Sequence, residues 1–174
     1  MTSTVLNTLL ASSLPWHGVA IDVEAVESAG RLIASEGGLF LSVSGREMRT
    51  VDDLFDRIGT AFEFPDYFGR NWAAFDECLS DLDWLPPASS YVLLIHQAAR
   101  LLADEPPEQL RVLLGVLDKV SGEWASSIEL GEWWDRPPRP FHVLFQEAEH
   151  PQVLQDRFRQ AGFDLEWLST PSFG

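Results

Sequence analysis

The sequence predicts an α/β domain built on a small three-stranded parallel sheet that is flanked by helices. The strands are predicted from three short apolar runs, Leu39–Val43, Tyr91–Ile95 and Phe141–Phe145. Compact apolar runs of this kind are typical of strands that are buried on both faces. Segments of helical period separate the runs. Connections of that length favour parallel pairing through right-handed crossovers, because antiparallel neighbours need only a short turn.

Two helices are predicted in the first half of the chain. Apolar residues follow a helical period over Val23–Ser35, and the glycines that come next can end a helix. Thr50 and Asp53 have the spacing of a capping box, in which the first side chain accepts a bond from the amide three residues on. The apolar stripe that follows stops before Pro65, so the second helix is predicted to end there.

A third helix is predicted after Pro107, a residue that the first turn of a helix tolerates, and its apolar positions recur at helical spacing up to Val120. This helix is expected to cover the sheet. Residues 121–140 contain three tryptophans and the run RPPRP, and they are predicted to form an irregular connection. Because that connection is longer than a compact domain usually needs, we interpret it as a functional or shielding loop.

The chain is predicted to hold one central domain, residues 37–148, with an extension at each end. Residues 1–36 form the N-terminal extension, in which Leu14–His17 is predicted to be a loop and one helix follows. Residues 149–174 form the C-terminal extension. There the predicted helix Pro151–Ala161 precedes an alternating segment that suits an edge strand or a packed arm.

Composition restricts the classes of partner. The 174 residues include 27 Asp and Glu against 12 Lys and Arg, a formal net charge of -15. Such a charge disfavours nucleic acid and anionic membranes and favours a cationic partner, although acidity that only aids solubility explains the composition equally well. No apolar run approaches the roughly 18 residues of a spanning helix, and the N-terminus lacks the basic region of a signal peptide. We therefore expect a cytoplasmic protein.

Signatures of enzymes and metal sites are absent from the sequence. It has no glycine-rich phosphate loop, no HExxH and no GxSxG. The single cysteine, Cys78, lies near the edge of an apolar stripe and is expected to be a packed thiol. Neighbouring acidic pairs lack the spacing of a calcium loop. We predict no catalytic residue, no metal and no cofactor.

The candidate site lies in residues 64–84, which are predicted to form a proline turn, an aromatic loop and a short helix. Asn71 can cap that helix, because its side chain can accept a bond from an amide of the first turn. One face of the helix is an apolar stripe of Trp72, Phe75, Leu79 and Leu82. The other face consists of Ala73, Asp76, Glu77, Ser80 and Asp81.

This acidic face is either a solvated helix surface or a binding surface. Its acids lie in the middle of the helix rather than only at the N-terminal end, where the helix dipole favours them, and like charges on one face repel. Tyr67, Phe68 and Trp72 stand beside the acids, and aromatic residues are common anchors of interfaces. The pattern alone leaves both interpretations open.

The run FPDYFGRNW, followed by AAFDECLSDLDWLP, resembles the signature stretch of the barstar family, the intracellular inhibitors of microbial ribonucleases. The order of strands and helices is similar over residues 37–146. The resemblance implies a barstar-like sheet and an inhibitor that does no chemistry itself. It implies that the acidic helix and the loop before it plug the active site of a basic extracellular-type ribonuclease or a related nuclease toxin.

The resemblance also assigns roles to individual residues. Tyr67 matches the contact tyrosine of the family, and Gly69 and Asn71 match its turn and helix start. Glu77 stands where the family usually has its central aspartate, the mimic of phosphate. The charge is therefore kept, on a side chain that is one methylene longer.

Two positions depart from the family pattern. Asp76 stands where the eponymous member has a contact tryptophan, and Ala73 stands where an aspartate normally makes a main contact. The residues predicted to bind the partner are Tyr67, Phe68, Gly69, Asn71, Trp72, Ala73, Asp76, Glu77 and Asp81.

Two other functions remain open at this point. A barstar-fold interaction module could bind a partner that is not a ribonuclease, through the acidic face or through the Trp-rich segment 124–134. An acid–base or metal-dependent enzyme could use the carboxylates, which would require a cleft with a raised carboxylate pKa or a bound ion.

Overall fold

The computed structural model describes residues 14–168 and confirms an α/β fold with a parallel sheet flanked by helices. The sheet contains four strands: β1 (Trp16–Val19), β2 (Leu39–Ser44), β3 (Tyr91–His96) and β4 (Phe141–Gln146). Their order across the sheet is β1-β4-β3-β2, and each pair of neighbours is parallel. The predicted number of three strands is therefore wrong.

The additional strand is β1, at one edge of the sheet, where the sequence predicted a loop at Leu14–His17. Trp16 pairs with Val143 of β4, and the register continues to the end of β1. All four residues of β1 are buried, because the sheet is covered on both faces. The strand is short and shows no alternation of polar and apolar residues, so the sequence carries no strand signal there.

Five helices are described, and the bounds predicted for the first are confirmed. They are α1 (Val23–Ser35), α2 (Val51–Ala61), α3 (Trp72–Asp81), α4 (Pro107–Trp124) and α5 (Pro151–Ala161). Short 3-10 turns follow β2 and β3, at Gly45–Glu47 and Ala98–Arg100. None of the helices within residues 14–168 is long and apolar enough to cross a bilayer.

The direction of each crossover determines which face of the sheet a helix covers. The chain steps from β2 to β3 to β4 in one direction, whereas the step from β1 to β2 runs the opposite way. Right-handed crossovers therefore place α1 on one face and the helices between β2 and β4 on the other. The core agrees, since Val26 and Ile33 of α1 pack with Val92 and Leu94 of β3 in a cluster of their own.

Helix α4 is longer than predicted, and the irregular connection shrinks to residues 125–140. Trp124 is the last residue of the helix and is buried, with its indole Nε1 donating to the Leu79 carbonyl of α3 at 2.8 Å. The Arg136 guanidinium returns from the connection and lies 4.1 Å from the centre of the Trp124 ring. It also donates to the Glu123 and Trp124 carbonyls, so the loop is tied to the C-terminal end of α4.

The two ends of the described chain meet at the β1 edge. Helix α5 ends at Ala161 and is followed by the capping residue Gly162, whose φ of 87° is readily adopted by glycine. The following segment is a packed arm, one of the two alternatives predicted, with Leu165 buried and a single bridge between Gly18 and Trp167. A Cβ atom at Gly18 would lie 2.7 Å from the Trp167 ring, so the arm packs closely only because residue 18 has no side chain.

Candidate functional site

Aromatic packing on α2 holds the loop that precedes α3. The half-buried Phe68 ring meets Phe55 and Phe64 edge-on, with centroids 5.7 and 5.0 Å away. The half-buried Trp72 ring lies 5.1 Å from Phe55, and its Nε1 donates to the Gln109 side chain at 3.0 Å. Two predicted partner residues, Phe68 and Trp72, therefore use much of their surface to anchor the loop.

An internal ion pair also holds this loop. Arg70 adopts the left-handed conformation, with φ at 49°, and its guanidinium contacts Asp56 and lies 3.8 Å from Asp52, both on α2. The hydrogen bond that Arg70 donates to the Asp56 carboxylate raises the pKa of Arg70. The one cation within the aromatic loop is thus directed toward α2.

The predicted cap of α3 is confirmed. The Asn71 side-chain oxygen accepts a bond from the Ala74 amide at 2.9 Å, and its nitrogen donates to the Gly69 carbonyl at 3.2 Å. A Cβ atom at Gly69 would lie 3.1 Å from the same nitrogen, which is tighter than an ordinary contact. Gly69 and Asn71 therefore fix the path of the chain into the helix and have little reach of their own.

A polar network joins α3 to α4 and includes Asp76, one of the acids predicted to bind the partner. Lys119 Nζ lies 2.6 Å from Asp76 Oδ2 and 3.2 Å from Glu123 Oε1. Ser80 donates to Glu123 at 2.5 Å. The Asp76 side chain is only 22% exposed, and the charge of its carboxylate is balanced by Lys119 within the molecule.

The remaining acids of α3 face solvent beside the tyrosine. Ala73 and Glu77, one turn apart, are exposed, and Glu77 makes no side-chain hydrogen bond or ion pair with any residue in the described range. Tyr67 is 76% exposed. Asp81 is exposed at the C-terminal end of the helix, where the dipole disfavours a carboxylate.

Electrostatics at this end of α3 are unfavourable to further negative charge. The pKa of Asp81 is raised, first by desolvation and then by the neighbouring Asp83 carboxylate. Desolvation also raises the pKa of the Tyr67 hydroxyl, with Asp81 and Asp83 adding to the effect. A cation placed here would relieve this repulsion, so the surface is suited to a positively charged partner.

Helix α3 also carries Cys78, the single cysteine of the sequence. Cys78 is buried, and desolvation followed by the charge of Asp81 raises the pKa of its thiol. A thiol in that state is a poor nucleophile, which agrees with the predicted packed role. Within residues 14–168 there is no group of three or more His, Cys, Asp or Glu side chains that could hold a metal ion.

Two features of this surface could not be found by reasoning from the sequence. The first is Lys119, whose spacing to Glu123 predicts a pair within α4 but whose contact with Asp76 joins two helices. The second is the extent to which Phe68 and Trp72 are covered. The only relevant signal was the high aromatic content of residues 62–75, which is also what a packed cluster requires.

A comparison with protein families bears directly on this arrangement. The family model described as Barstar (barnase inhibitor) matches residues 39–146, more than half of the chain. The chain belongs to the barstar family. The matched segment runs from β2 to β4 and includes the whole of α3. Strand β1, helices α1 and α5 and the C-terminal arm lie outside it.

Comparisons with other proteins add information on the fold alone. No curated protein matches the chain. Among solved structures, a chain of the "Structure of Drosophila ORC bound to DNA" is similar to this barstar-family protein with a TM-score of 0.53. The two are 14% identical, and the match covers 99% of this chain and 90% of that one. At this identity the likeness shows a shared fold and carries no functional argument.

Proposed function

We propose that this barstar-family protein is a cytoplasmic inhibitor of a microbial ribonuclease and has no catalytic activity of its own. Helix α3 and the loop before it would enter the cationic active site of the nuclease and exclude RNA. A ribonuclease site is cationic because it must hold phosphate, so a carboxylate on a rigid helix can occupy the same position.

The observation that carries the proposal is the exposed and unpaired carboxylate of Glu77 on the capped helix α3. That carboxylate has no partner in residues 14–168, and two neighbours are exposed as well: Asp81, the last residue of the same helix, and Tyr67, in the loop before it. An unpaired acid in a negative field is a small cost to the free protein, and a cationic partner removes that cost. Family membership supports a ribonuclease as the class of partner.

The structure supports different roles for the predicted contact residues. Glu77, Asp81 and Tyr67 would make the main contacts, because they are the acidic and aromatic side chains with the most freedom to meet a partner. The contribution of Asp76 to binding would be limited by Lys119, because the ion pair between them has to open before Asp76 can bind another cation.

The test is inhibition of several guanyl-preferring microbial ribonucleases by the purified protein. Glu77→Gln keeps the shape of the side chain and removes its charge, and we expect the affinity to fall by about tenfold or more, as for loss of a charge-assisted hydrogen bond. Glu36→Gln is the matched control, because Glu36 is exposed at the end of α1 on the opposite face of the sheet.

Two results would contradict the proposal. Absence of inhibition by the unchanged protein at micromolar concentration, across all the ribonucleases tested, would remove the ribonuclease as partner. Equal effects of Glu77→Gln and Glu36→Gln would leave inhibition possible but would place it away from α3.

Ala73 gives a second, opposite test of the same face. Ala73 is exposed one turn before Glu77, at the position where the family normally has an aspartate. Ala73→Asp is therefore expected to tighten inhibition, with an association rate that falls more steeply as salt is added. A weaker complex would show that the partner has no cation facing this position.

A second candidate function is an interaction module that uses residues 125–140. Trp133 and Leu130 are 83% and 71% exposed, and the Trp133 and Trp134 rings meet edge-on at 5.3 Å. The Asp135 carboxylate accepts bonds from the Leu130 and Gly131 amides at 3.0 and 2.7 Å, so the turn that presents these side chains is fixed. A preformed, exposed aromatic pair is typical of an interface.

Paired variants separate the two candidates. Trp133→Ser combined with Trp134→Ser would abolish partner capture from the native organism if residues 125–140 form the interface, and Glu77→Gln would leave it intact. The reverse pattern, together with ribonuclease inhibition, supports the first proposal.

A further inference from the structure

A cleft of about 840 Å³ lies at the edge of the sheet where the strands end. It is lined by residues at or after the ends of all four strands. They include Asp22 after β1, Arg46 after β2, His96 at the end of β3, Arg100 in the turn that follows it, and His150 after β4. A volume of this order is within the range of small-molecule sites. None of the residues proposed to meet a nuclease lines it.

The topology explains why a cleft opens at this edge. Strands β1 and β4 are neighbours and parallel, so their carboxyl ends lie at the same end of the sheet. The chain leaving β1 enters α1 on one face of the sheet, whereas the chain leaving β4 enters α5 on the other. Segments that depart to opposite faces leave a crevice between them, and in open parallel sheets ligands bind in that crevice.

The cleft is less acidic than the chain as a whole. Three arginines, Arg46, Arg49 and Arg100, line the cleft, equal in number to its carboxylates, although acids outnumber bases by 27 to 12 in the chain. Arg49 is held by Asp104 in two hydrogen bonds. Arg46 and Arg100 are exposed and make no side-chain hydrogen bond or ion pair within residues 14–168.

Two of the three carboxylates are already engaged with the backbone. Asp22 accepts a bond from the Glu24 amide at 3.0 Å as the cap of α1. Glu147 is buried, and its two oxygens accept bonds from the Ala99, Glu149 and His150 amides at 3.0 to 3.1 Å. These amide bonds occupy the lone pairs of Asp22 and Glu147 without cancelling their charge, and the third carboxylate, Glu149, is exposed. Arg46 and Arg100 are the guanidinium groups of the cleft whose donors are open to an anionic ligand.

Close packing brings the two arginines to the same cleft. Arg46 and Arg100 belong to the 3-10 turns that follow β2 and β3. Gly45, the first residue of the turn after β2, is buried, and a Cβ atom there would lie 2.6 Å from the Gln97 carbonyl oxygen. The absence of a side chain at residue 45 therefore allows the turns to touch.

We propose that this cleft binds a small phosphate-bearing anion, with Arg46 and Arg100 as the groups that hold the phosphate. Guanidinium forks match phosphate oxygens in geometry and charge, and the imidazoles of His96 and His150 add donors on the same walls. Part of the lining, Asp22, Val23 and residues 147–150, lies outside the segment 39–146 matched by the family model, whereas Arg46 and Arg100 lie inside it. Binding at this cleft is a function beyond the proposed nuclease inhibition.

The test is calorimetric titration of the full chain with inorganic pyrophosphate, and in parallel with ADP, at fixed ionic strength. We expect saturable binding at a single site. Arg46→Ala combined with Arg100→Ala should weaken it by about tenfold or more, because two charge-assisted contacts are lost. Arg31→Ala combined with Arg159→Ala is the matched control, since both arginines are exposed elsewhere and the same charge is removed.

The outcomes separate this site from nonspecific attraction and from the nuclease-binding face. No heat of binding for either anion at millimolar concentration, or equal weakening in the control variant, would overturn the proposal. Circular dichroism of both double variants checks that they fold. Ribonuclease inhibition by the Arg46 and Arg100 variant should be unchanged, so failure of one proposal leaves the other standing.

Discussion

Trp124→Phe is expected to weaken the packing of α3 against α4 more than a conservative substitution at any exposed position of α3. The indole Nε1 donates to the Leu79 carbonyl at 2.8 Å, in the last turn of α3, where carbonyls have no partner within the helix. Phenylalanine keeps the aromatic packing against Tyr91, whose ring centroid is 4.8 Å away, but cannot donate. The variant therefore removes one donor and part of a ring.

The magnitude follows from three contributions. A buried carbonyl left without its donor costs about 1–3 kcal/mol. The smaller ring leaves a gap worth about 1 kcal/mol in a site that is only 3% exposed. The weaker interaction with Arg136, now 4.1 Å above the indole, adds about 0.5 kcal/mol. The expected loss of unfolding free energy is about 3 kcal/mol.

Urea unfolding followed by circular dichroism measures this loss directly, and a fall in Tm of about 6–12 °C is the thermal equivalent for a chain of this size. Trp134→Phe is the matched control, because the same atoms are removed from a side chain that is 46% exposed. A loss below about 0.5 kcal/mol for Trp124→Phe, or an equal loss in both variants, would refute the role assigned to the Trp124–Leu79 bond.

Three further predictions concern α3. Asn71→Ala should lower the free energy of unfolding by about 1 kcal/mol in a urea titration, because the capping bond is lost. Asn71→Asp should lower it less, because aspartate keeps the capping oxygen and loses only the bond to the Gly69 carbonyl. Lys119→Met should change the free energy of unfolding by less than about 1 kcal/mol, because the Lys119–Asp76 ion pair is partly exposed. The same substitution should raise the rate of association with a cationic nuclease in stopped flow, because Asp76 is then free to attract it. A slower rate would contradict this. Asp81→Asn should stabilise the free protein by up to about 0.5 kcal/mol at pH 7, since desolvation and Asp83 raise the Asp81 pKa. The gain should disappear as the pH falls through the pKa of Asp81 in the folded protein to its pKa in the unfolded chain. A gain that grows on acidification would refute this prediction.

Much of the fold was predictable because its signals are local. The period of Val23–Ser35 and the caps at Thr50 and Asn71 lie within a few residues of the features they determine, and each prediction is confirmed. Strand β1 was missed because its burial on both faces comes from elements far away in the sequence. The extension of α4 to Trp124 was missed for a similar reason, since the partner of that tryptophan is on α3.

The candidate site was predictable as a pattern but not as a set of contacts. Spacing correctly placed Ala73 and Glu77 on the exposed side of α3 and Phe75 and Leu79 in the core. Spacing could not reveal that Asp76 meets Lys119, because no rule of helix geometry relates residues on different helices. Whether a carboxylate is available to a partner depends on such tertiary contacts.

The edge position of β1 has a consequence for how the chain folds during synthesis. Trp16 leaves the ribosome well before its partner Val143, because more than a hundred residues separate them in the sequence. Until β4 has been synthesised, β1 has no neighbouring strand, and its apolar residues are exposed to water. Completing the sheet therefore requires closure of a loop that spans most of the chain, which makes late docking of β1 the expected slow step. A permuted gene that starts at β2 and joins β1 directly after the C-terminal arm would shorten that loop and should fold faster.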